Sequence, residues 1–305
     1  MLKIVFMGTP SFSVPILEAL IEKYEVIGVV TQPDKCVGRK QEIKFSPVKE
    51  CALKHGIPLF QPIKIRDEYQ NIVDLNPDLI VTAAYGQIVG MKLLNAPKYR
   101  SINVHASLLP KYRGGAPIHE AIKQGESVTG VTIMYMEKKM DAGDILGVKE
   151  VKIEDEDNCG TMFEKLSYAG RDLLMETIPA LIEGKIEPIK QIEEDATFAY
   201  NVTKEEERLD FTKPARDVFN HIRAYNPYPV AHMMLGNDVI KVYNSRVSSE
   251  THNVEVGTVI KATKQGFLMA CGNHTTLEVL EVQPSGKKVM KASDFANGAL
   301  RKYLK

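Results

Sequence analysis

Residues 102–110 read INVHASLLP. Asn103 and His105 interrupt an apolar strand, and Leu109-Pro110 closes it. Strand side chains alternate between faces, so residues two apart point the same way and Asn103 and His105 are neighbours. An amide and an imidazole side by side in a buried strand both need polar partners. In open α/β sheets, ligands collect at the carboxyl ends of strands. The pair sits at such an end, ahead of the Gly- and Pro-rich stretch SLLPKYRGGAPIH (107–119). A lone histidine reads as a satisfied core residue; the pairing, the strand end and the loop together read as a site.

Outward from this stretch, strand-like and helix-like segments alternate. KIVFMG (3–8), EVIGVVT (25–31), DLIVTAAYG (78–86) and SINVHA (101–106) are apolar on both faces. VPILEALIEK (14–23) has helical spacing, and SPVKECALKHG (46–56) places Ser46 as N-cap, Pro47 at the first helical position and Gly56 past the end. Such a pattern predicts a Rossmann-like, mostly parallel sheet with helices on both faces. GVTIMYM (130–136) and DILGVKEVKI (144–153) add two strands, and a long helix over about 160–184 closes this α/β part. Residues 1–188 are expected to form the catalytic domain. The charged, aperiodic segment 189–208 is expected to be a linker. Residues 209–305 hold one helix (215–226) and several short strands with turn residues between them, the pattern of a small barrel or sandwich.

The composition narrows the function classes. The 305 residues suit one large or two modest domains. No run of eighteen apolar residues occurs, and the N-terminus lacks a basic region and a small-residue cleavage site, so a cytoplasmic protein is expected with no membrane partner. Cys36, Cys51, Cys159 and Cys271 are scattered without a CxxC pair, which fits reduced, structural thiols. Net charge is zero, but thirteen Lys/Arg face eight Asp/Glu from Leu209 onward. A modestly basic C-terminal third suits a polyanion, and it also suits any soluble domain.

Histidine exchanges a proton near neutral pH, and an asparagine amide donates to a developing oxyanion. Together they suit attack on a carbonyl-type carbon. No GxSxG elbow is present and no cysteine lies nearby, so the nucleophile is expected to belong to a substrate, such as an amine. Asp141, in the Gly-containing loop MDAGDIL (140–146), is the candidate for the second acid, although such an Asp is more often a turn residue. GTP (8–10) is neither GxGxxG nor a P-loop, and His119 in HEAI lacks the second histidine of a zinc site, so no metal is expected.

NVHASLLP (103–110), RGGAPI (113–118) and MDAGDI (140–145), in this order, strongly resemble the 10-formyltetrahydrofolate-dependent formyltransferases. The resemblance implies Asn103, His105 and Asp141 as the catalytic set. It implies folate contacts from Ser107, Leu108, Leu109 and Pro110, and from Ala83, Ala84, Tyr85 and Gly86 after the earlier strand. Nearly end to end, the chain is similar to the branch that formylates initiator methionyl-tRNA. FMGTPSF (6–12) resembles its first turn, with Ser11 where an acid is usual. VVTQPDKCVGRKQEIKFSPVK (29–49) resembles its inserted, acceptor-arm loop, here with Gln41 and Glu42 in the middle. IRAYNPYP (222–229) and GKKVMKASDFANG (286–298) resemble its C-terminal, OB-like β-barrel domain.

That branch implies 10-formyltetrahydrofolate as donor and tRNA as partner; a monomer is expected. Its hydrolase relatives carry an added N-terminal domain, for which no room is expected before Met1. Phosphates reward Lys and Arg, so Lys35, Arg39, Lys40 and Lys44 of a mobile loop, with Arg39 foremost, are candidate tRNA contacts. Lys287 and Lys288 are candidates in the C-terminal domain, with Lys291, Lys241, Arg246, Lys261 and Lys264 forming the rest of a positive channel. Arg223 with Asn226-Pro227 matches a family motif and is equally suited to a structural role. Two rivals stay open: a formyltransferase acting on a sugar-linked amine, and an RNA-binding protein with a silent folate domain.

Overall fold

The structure is a computed structural model that describes residues 1–37, 42–298 and 300. The chain divides into two compact units. The first comprises 1–117, 128–152 and 163–200, and the second 118–127, 153–162 and 201 onward.

In the first unit the chain runs β1 (Lys3–Gly8), α1 (Val14–Lys23), β2 (Glu25–Val30), the strands β3 (Lys35–Val37) and β4 (Glu42–Lys44), then α2 (Pro47–Lys54) and β5 (Leu59–Phe60). It continues through α3 (Ile65–Glu68), α4 (Gln70–Val73), β6 (Leu79–Ala83), α5 (Met91–Leu94), β7 (Ser101–His105), β8 (Val128–Tyr135), β9 (Ile145–Lys152) and α7 (Cys159–Ile182), whose residues 159–162 count with the second unit, as does α6 (Pro117–Lys123) after its first residue. The sheet order is β5-β2-β1-β6-β7-β8-β9. The chain winds outward from β1 through β2 to β5 and returns to β6 on the other side, so its switch point lies between the carboxyl ends of β1 and β6. Pairing is parallel from β5 to β7, and β8 and β9 then join antiparallel. The sheet is therefore Rossmann-like and mostly parallel.

Burial on both faces explains the continuous apolar strands. Val5, Met7, Val30 and Ile80 pack with Ile65, Ile72, Leu93 and Leu94 of α3, α4 and α5. The alternate residues Ile4 and Phe6 are equally buried and belong to the opposite face, where α1 and α7 lie. Gly170 explains how α7 comes so near the sheet: a Cβ there would sit 2.7 Å from Val104. Ser46 caps α2 through its hydroxyl, which accepts from the Lys49 N–H at 3.1 Å, with Pro47 opening the helix.

The stretch 34–46 differs from the expected mobile loop. Lys35–Val37 pairs antiparallel with Glu42–Lys44, so its base is a β-hairpin. Arg39 and Lys40 lie outside the described residues. The segment 189–200 is also more ordered than aperiodic sequence suggested. Ile189 bridges Ile145, and Phe198 bridges Arg113 within the first unit.

In the second unit, α8 (Ala215–Ala224) precedes a curled antiparallel sheet. Its strands are β10 (His232–Leu235), β11 (Asp238–Thr251), β12 (Val259–Ala262), β13 (Phe267–Ala270), β14 (Thr275–Pro284) and β15 (Met290–Lys291), followed by α9 (Ala292–Gly298). The order is β10-β11-β14-β13-β12, with β15 on β14. Register shifts along the long β11 let it bend and pair with both β10 and β14, giving the half-barrel of an OB-like domain. Val242, Phe267, Met269, Leu277 and Val279 fill its interior. Among the described residues no helix is long and apolar enough to cross a membrane.

Candidate active site

The site forms where β6 and β7 run side by side, with Thr82 opposite Asn103 in the parallel register. The Thr82 hydroxyl donates to Asn103 Oδ1 at 2.6 Å, which orients the amide. Among the described residues no group accepts from Asn103 Nδ2, so this N–H pair is free to meet a ligand oxygen. Its neighbour on the same face, His105, is buried, and its Nε2 donates to the Tyr112 carbonyl at 3.0 Å. A carbonyl only accepts, so Nε2 keeps its proton, and Nδ1 is the nitrogen left to exchange one.

Asp141 supplies what Nδ1 faces. β8 runs back along β7 until Tyr135 lies opposite Ile102, and the loop 136–144 then returns to place Asp141 Oδ2 3.7 Å from His105 Nδ1. The backbone of Asp141 is left-handed, with φ +49°. Its carboxylate accepts from the Gly114 N–H at 2.8 Å. Gly114 has φ +125°, and a Cβ there would lie 2.4 Å from the Ala199 carbonyl oxygen, so glycine is required. Asn103, His105 and Asp141 are thus brought to one place.

Reading the sequence missed the residues that hold this arrangement. Gln191 Nε2 donates to the carbonyls of Asp141 (2.9 Å) and Gly143 (2.8 Å), which pins the returning loop. Its Oε1 accepts from Arg113 Nε at 3.1 Å and Nη2 at 2.9 Å. Arg113 is fully buried, and Glu193 balances its charge at 3.0 Å. Lys139 also pairs with Glu193, and the two cations hold the Glu193 carboxyl below its usual range. The Tyr112 N–H donates to Thr197 Oγ1 at 2.9 Å, and Arg113 exchanges backbone bonds with Thr197 and Ala199. The one sequence signal for this network was Arg113 within RGGAPI; Gln191 and Glu193 carried none.

The candidate folate contacts divide by exposure. In the turn after β6, Ala84 (φ +47°) and Gly86 (φ +89°) are exposed, whereas Ala83 and Tyr85 are buried. The Tyr85 ring packs in the core, where burial pushes its phenol up to about 12. Its carbonyl is held by Thr9 and Gln32. Leu108 and Pro110 are half-buried. Leu109 packs on Met134 and Ile145. Ser107 has its hydroxyl engaged within the loop. It is buried and donates to the Lys111 carbonyl at 2.7 Å, so it builds the loop.

Among the basic candidates, Lys35 and Lys44 are exposed and face each other across the hairpin. In the second unit Lys287 and Lys288 are exposed in the β14–β15 turn. Among the described residues neither they nor Lys264 has an acidic partner. Arg246 pairs with Glu278 at 2.6 Å and Lys261 with Glu250 at 2.7 Å, so an acid partly offsets each of these charges. Arg223 is buried and donates to Asn220 Oδ1 and to the carbonyls of Glu154 and Asp157. It joins α8 to the 153–162 segment, a structural role.

The model of a family described as formyl transferase matches residues 2–178, and that of a formyl transferase C-terminal domain matches 201–300. The chain is 56% identical over 301 residues to methionyl-tRNA formyltransferase of Bacillus cereus (strain AH187), across 98% of this chain and 96% of that protein. The protein of the same name from Bacillus anthracis (strain CDC 684 / NRRL 3495) gives the same values, 56% identity over 98% and 96%. The N-formyltransferase from Helicobacter canadensis, solved with folinic acid and dTDP-3-aminofucose, superimposes with a TM-score of 0.71 at 18% identity, over 92% of this chain and 99% of that one. HypX from Aquifex aeolicus, solved with tetrahydrofolic acid, gives 0.66 at 14% identity, over 99% of this chain and 48% of that one. At such identities these two structures share the fold.

Proposed function

The chain belongs to the methionyl-tRNA formyltransferase family, and from that premise we propose that it moves a formyl group from 10-formyltetrahydrofolate to the α-amino group of initiator methionyl-tRNA. The observation that carries this reading is the convergence of three groups. An unengaged Asn103 amide and the exchangeable Nδ1 of His105 share one strand face, with the Asp141 carboxylate 3.7 Å from that nitrogen.

The amine attacks the formyl carbon held on N10, and the carbonyl oxygen becomes an oxyanion that accepts from Asn103 Nδ2. One well-placed donor lowers such a barrier by about 3 kcal/mol. His105 Nδ1 takes the proton from the attacking nitrogen, and Asp141 stabilises the imidazolium that results. The same proton passes to N10 as the carbon–nitrogen bond breaks, so no covalent enzyme intermediate forms. Holding both substrates in register supplies much of the remaining rate.

The turn at Ala84–Gly86 and the half-buried Leu108 and Pro110 are the proposed folate wall. Ala83, Tyr85, Ser107 and Leu109 shape it from behind. Lys35 and Lys44 of the hairpin, together with Arg39 and Lys40, are proposed to meet the acceptor arm. Lys287 and Lys288 are proposed to meet tRNA phosphates. The protein is proposed to work as a cytoplasmic monomer.

The test measures formyl transfer from 10-formyltetrahydrofolate to charged initiator tRNA, elongator methionyl-tRNA and a sugar-linked amine. The expected order puts initiator tRNA far ahead. Transfer to the sugar amine alone would overturn the acceptor assignment, and no transfer to any acceptor would overturn the reaction.

A further inference from the structure

Three donors of different chemistry meet on the outer side of the first unit. Cys51 and His55 stand four residues apart, so they share one face of α2 and its C-terminal cap. Glu18 comes from α1, which packs against α2. Their ligand atoms lie within 4.8 Å of one another. A tetrahedral ion with bonds of about 2.0–2.3 Å needs neighbouring ligand atoms about 3.3–3.8 Å apart, so small side-chain rotations close the site. Among the described residues none of the three side chains has a hydrogen-bond or ion-pair partner. His55 is exposed, which gives an ion a way in, while Cys51 is buried and presents its sulfur from the helix–helix seam.

We propose that Glu18, Cys51 and His55 form a metal site for a divalent ion of borderline softness, zinc above all, with water as the fourth ligand. Thiolate and imidazole select against magnesium and calcium, and three protein ligands leave one position for solvent. Without metal, burial and the Glu18 carboxylate hold the thiol up, partly offset by Lys54 in the same turn. On binding, the hydrated dication gains a metal–sulfur bond and the thiol proton leaves to solvent, so one proton is released per ion. The ion joins α2 to α1. Because β4 ends at Lys44 and α2 begins at Pro47, it also secures the base of the basic hairpin. This site is separate from Asn103, His105 and Asp141, and the proposal does not rest on the formyl-transfer reading.

Cobalt(II) titration of the full chain tests it, because cobalt reports thiolate ligation by a near-ultraviolet charge-transfer band and tetrahedral geometry by intense visible bands. Both are expected in the unmodified protein and are lost in Cys51→Ser. His55→Ala and Glu18→Gln should each weaken cobalt binding by about tenfold or more. Zinc should raise the melting temperature of the unmodified protein but not of His55→Ala, an exposed substitution that leaves the fold intact. Absence of the charge-transfer band, its survival in Cys51→Ser, or binding unchanged by both other substitutions would overturn the site.

Discussion

Asn103 turns its oxygen to Thr82 and its amide hydrogens to the site, so its two ends carry separate duties. Removing the amide as Asn103→Ala takes away the oxyanion donor and should lower kcat by about 10²–10³-fold. The melting temperature should change little, because the side chain is only half-buried. Near-normal turnover in this variant, or in His105→Ala, would show that the oxyanion and proton-relay roles are misassigned. Gln191 is a positioning residue that joins the Asp141 and Gly143 carbonyls to Arg113. Gln191→Leu leaves those carbonyls and part of a buried guanidinium without partners, a cost of about 1–3 kcal/mol. If Gln191 acts through Asp141, kcat falls while KM for folate holds. A drop in melting temperature with unchanged kcat would reduce it to a structural role.

At the scale of elements, the hairpin of β3 and β4 places Lys35 directly opposite Lys44. Like charges opposed across a ladder destabilise a hairpin on its own, which suits a hairpin shaped for an anionic partner. Lys35→Glu converts the repulsive pair into an attractive one, so local stability should rise while KM for aminoacyl-tRNA also rises. The slope of log affinity against log salt should flatten by about one or more, and KM for folate should hold. Equal changes in both KM values would remove the hairpin from tRNA recognition. The hairpin was hidden in the sequence because its strands are three residues each, too short for a strand period to show. By contrast, α2 was readable to its ends, because Ser46 and Pro47 encode its start locally.

Across the whole molecule, buried titratable groups set how stability responds to pH. In the second unit, burial lowers the His119 and His221 imidazoles below the usual value, more than the carbonyls of Tyr228 and Glu206 raise them. The unfolded chain then takes up protons that the folded chain refuses once pH falls below about 6.5. Stability is therefore fully present at pH 7.5 and should decline as pH drops through 6.5 toward the lowered values. His221→Gln should flatten the melting-temperature profile over that range, and an unchanged profile would exclude His221 as a contributor. The order of residues already contained the mostly parallel sheet, a small barrel or sandwich after residue 209, and the paired Asn103 and His105. Strand periodicity, helix caps and same-face spacing are properties of near neighbours, so a sequence states them directly. Only tertiary structure decided that β8 and β9 join antiparallel, since a strand's side-chain pattern reads alike in either direction. It also decided that the loop carrying Asp141 returns to His105, and that Arg113 meets Gln191 across 78 residues of chain. Those contacts depend on where distant segments pack, and no local pattern specifies a partner so far away.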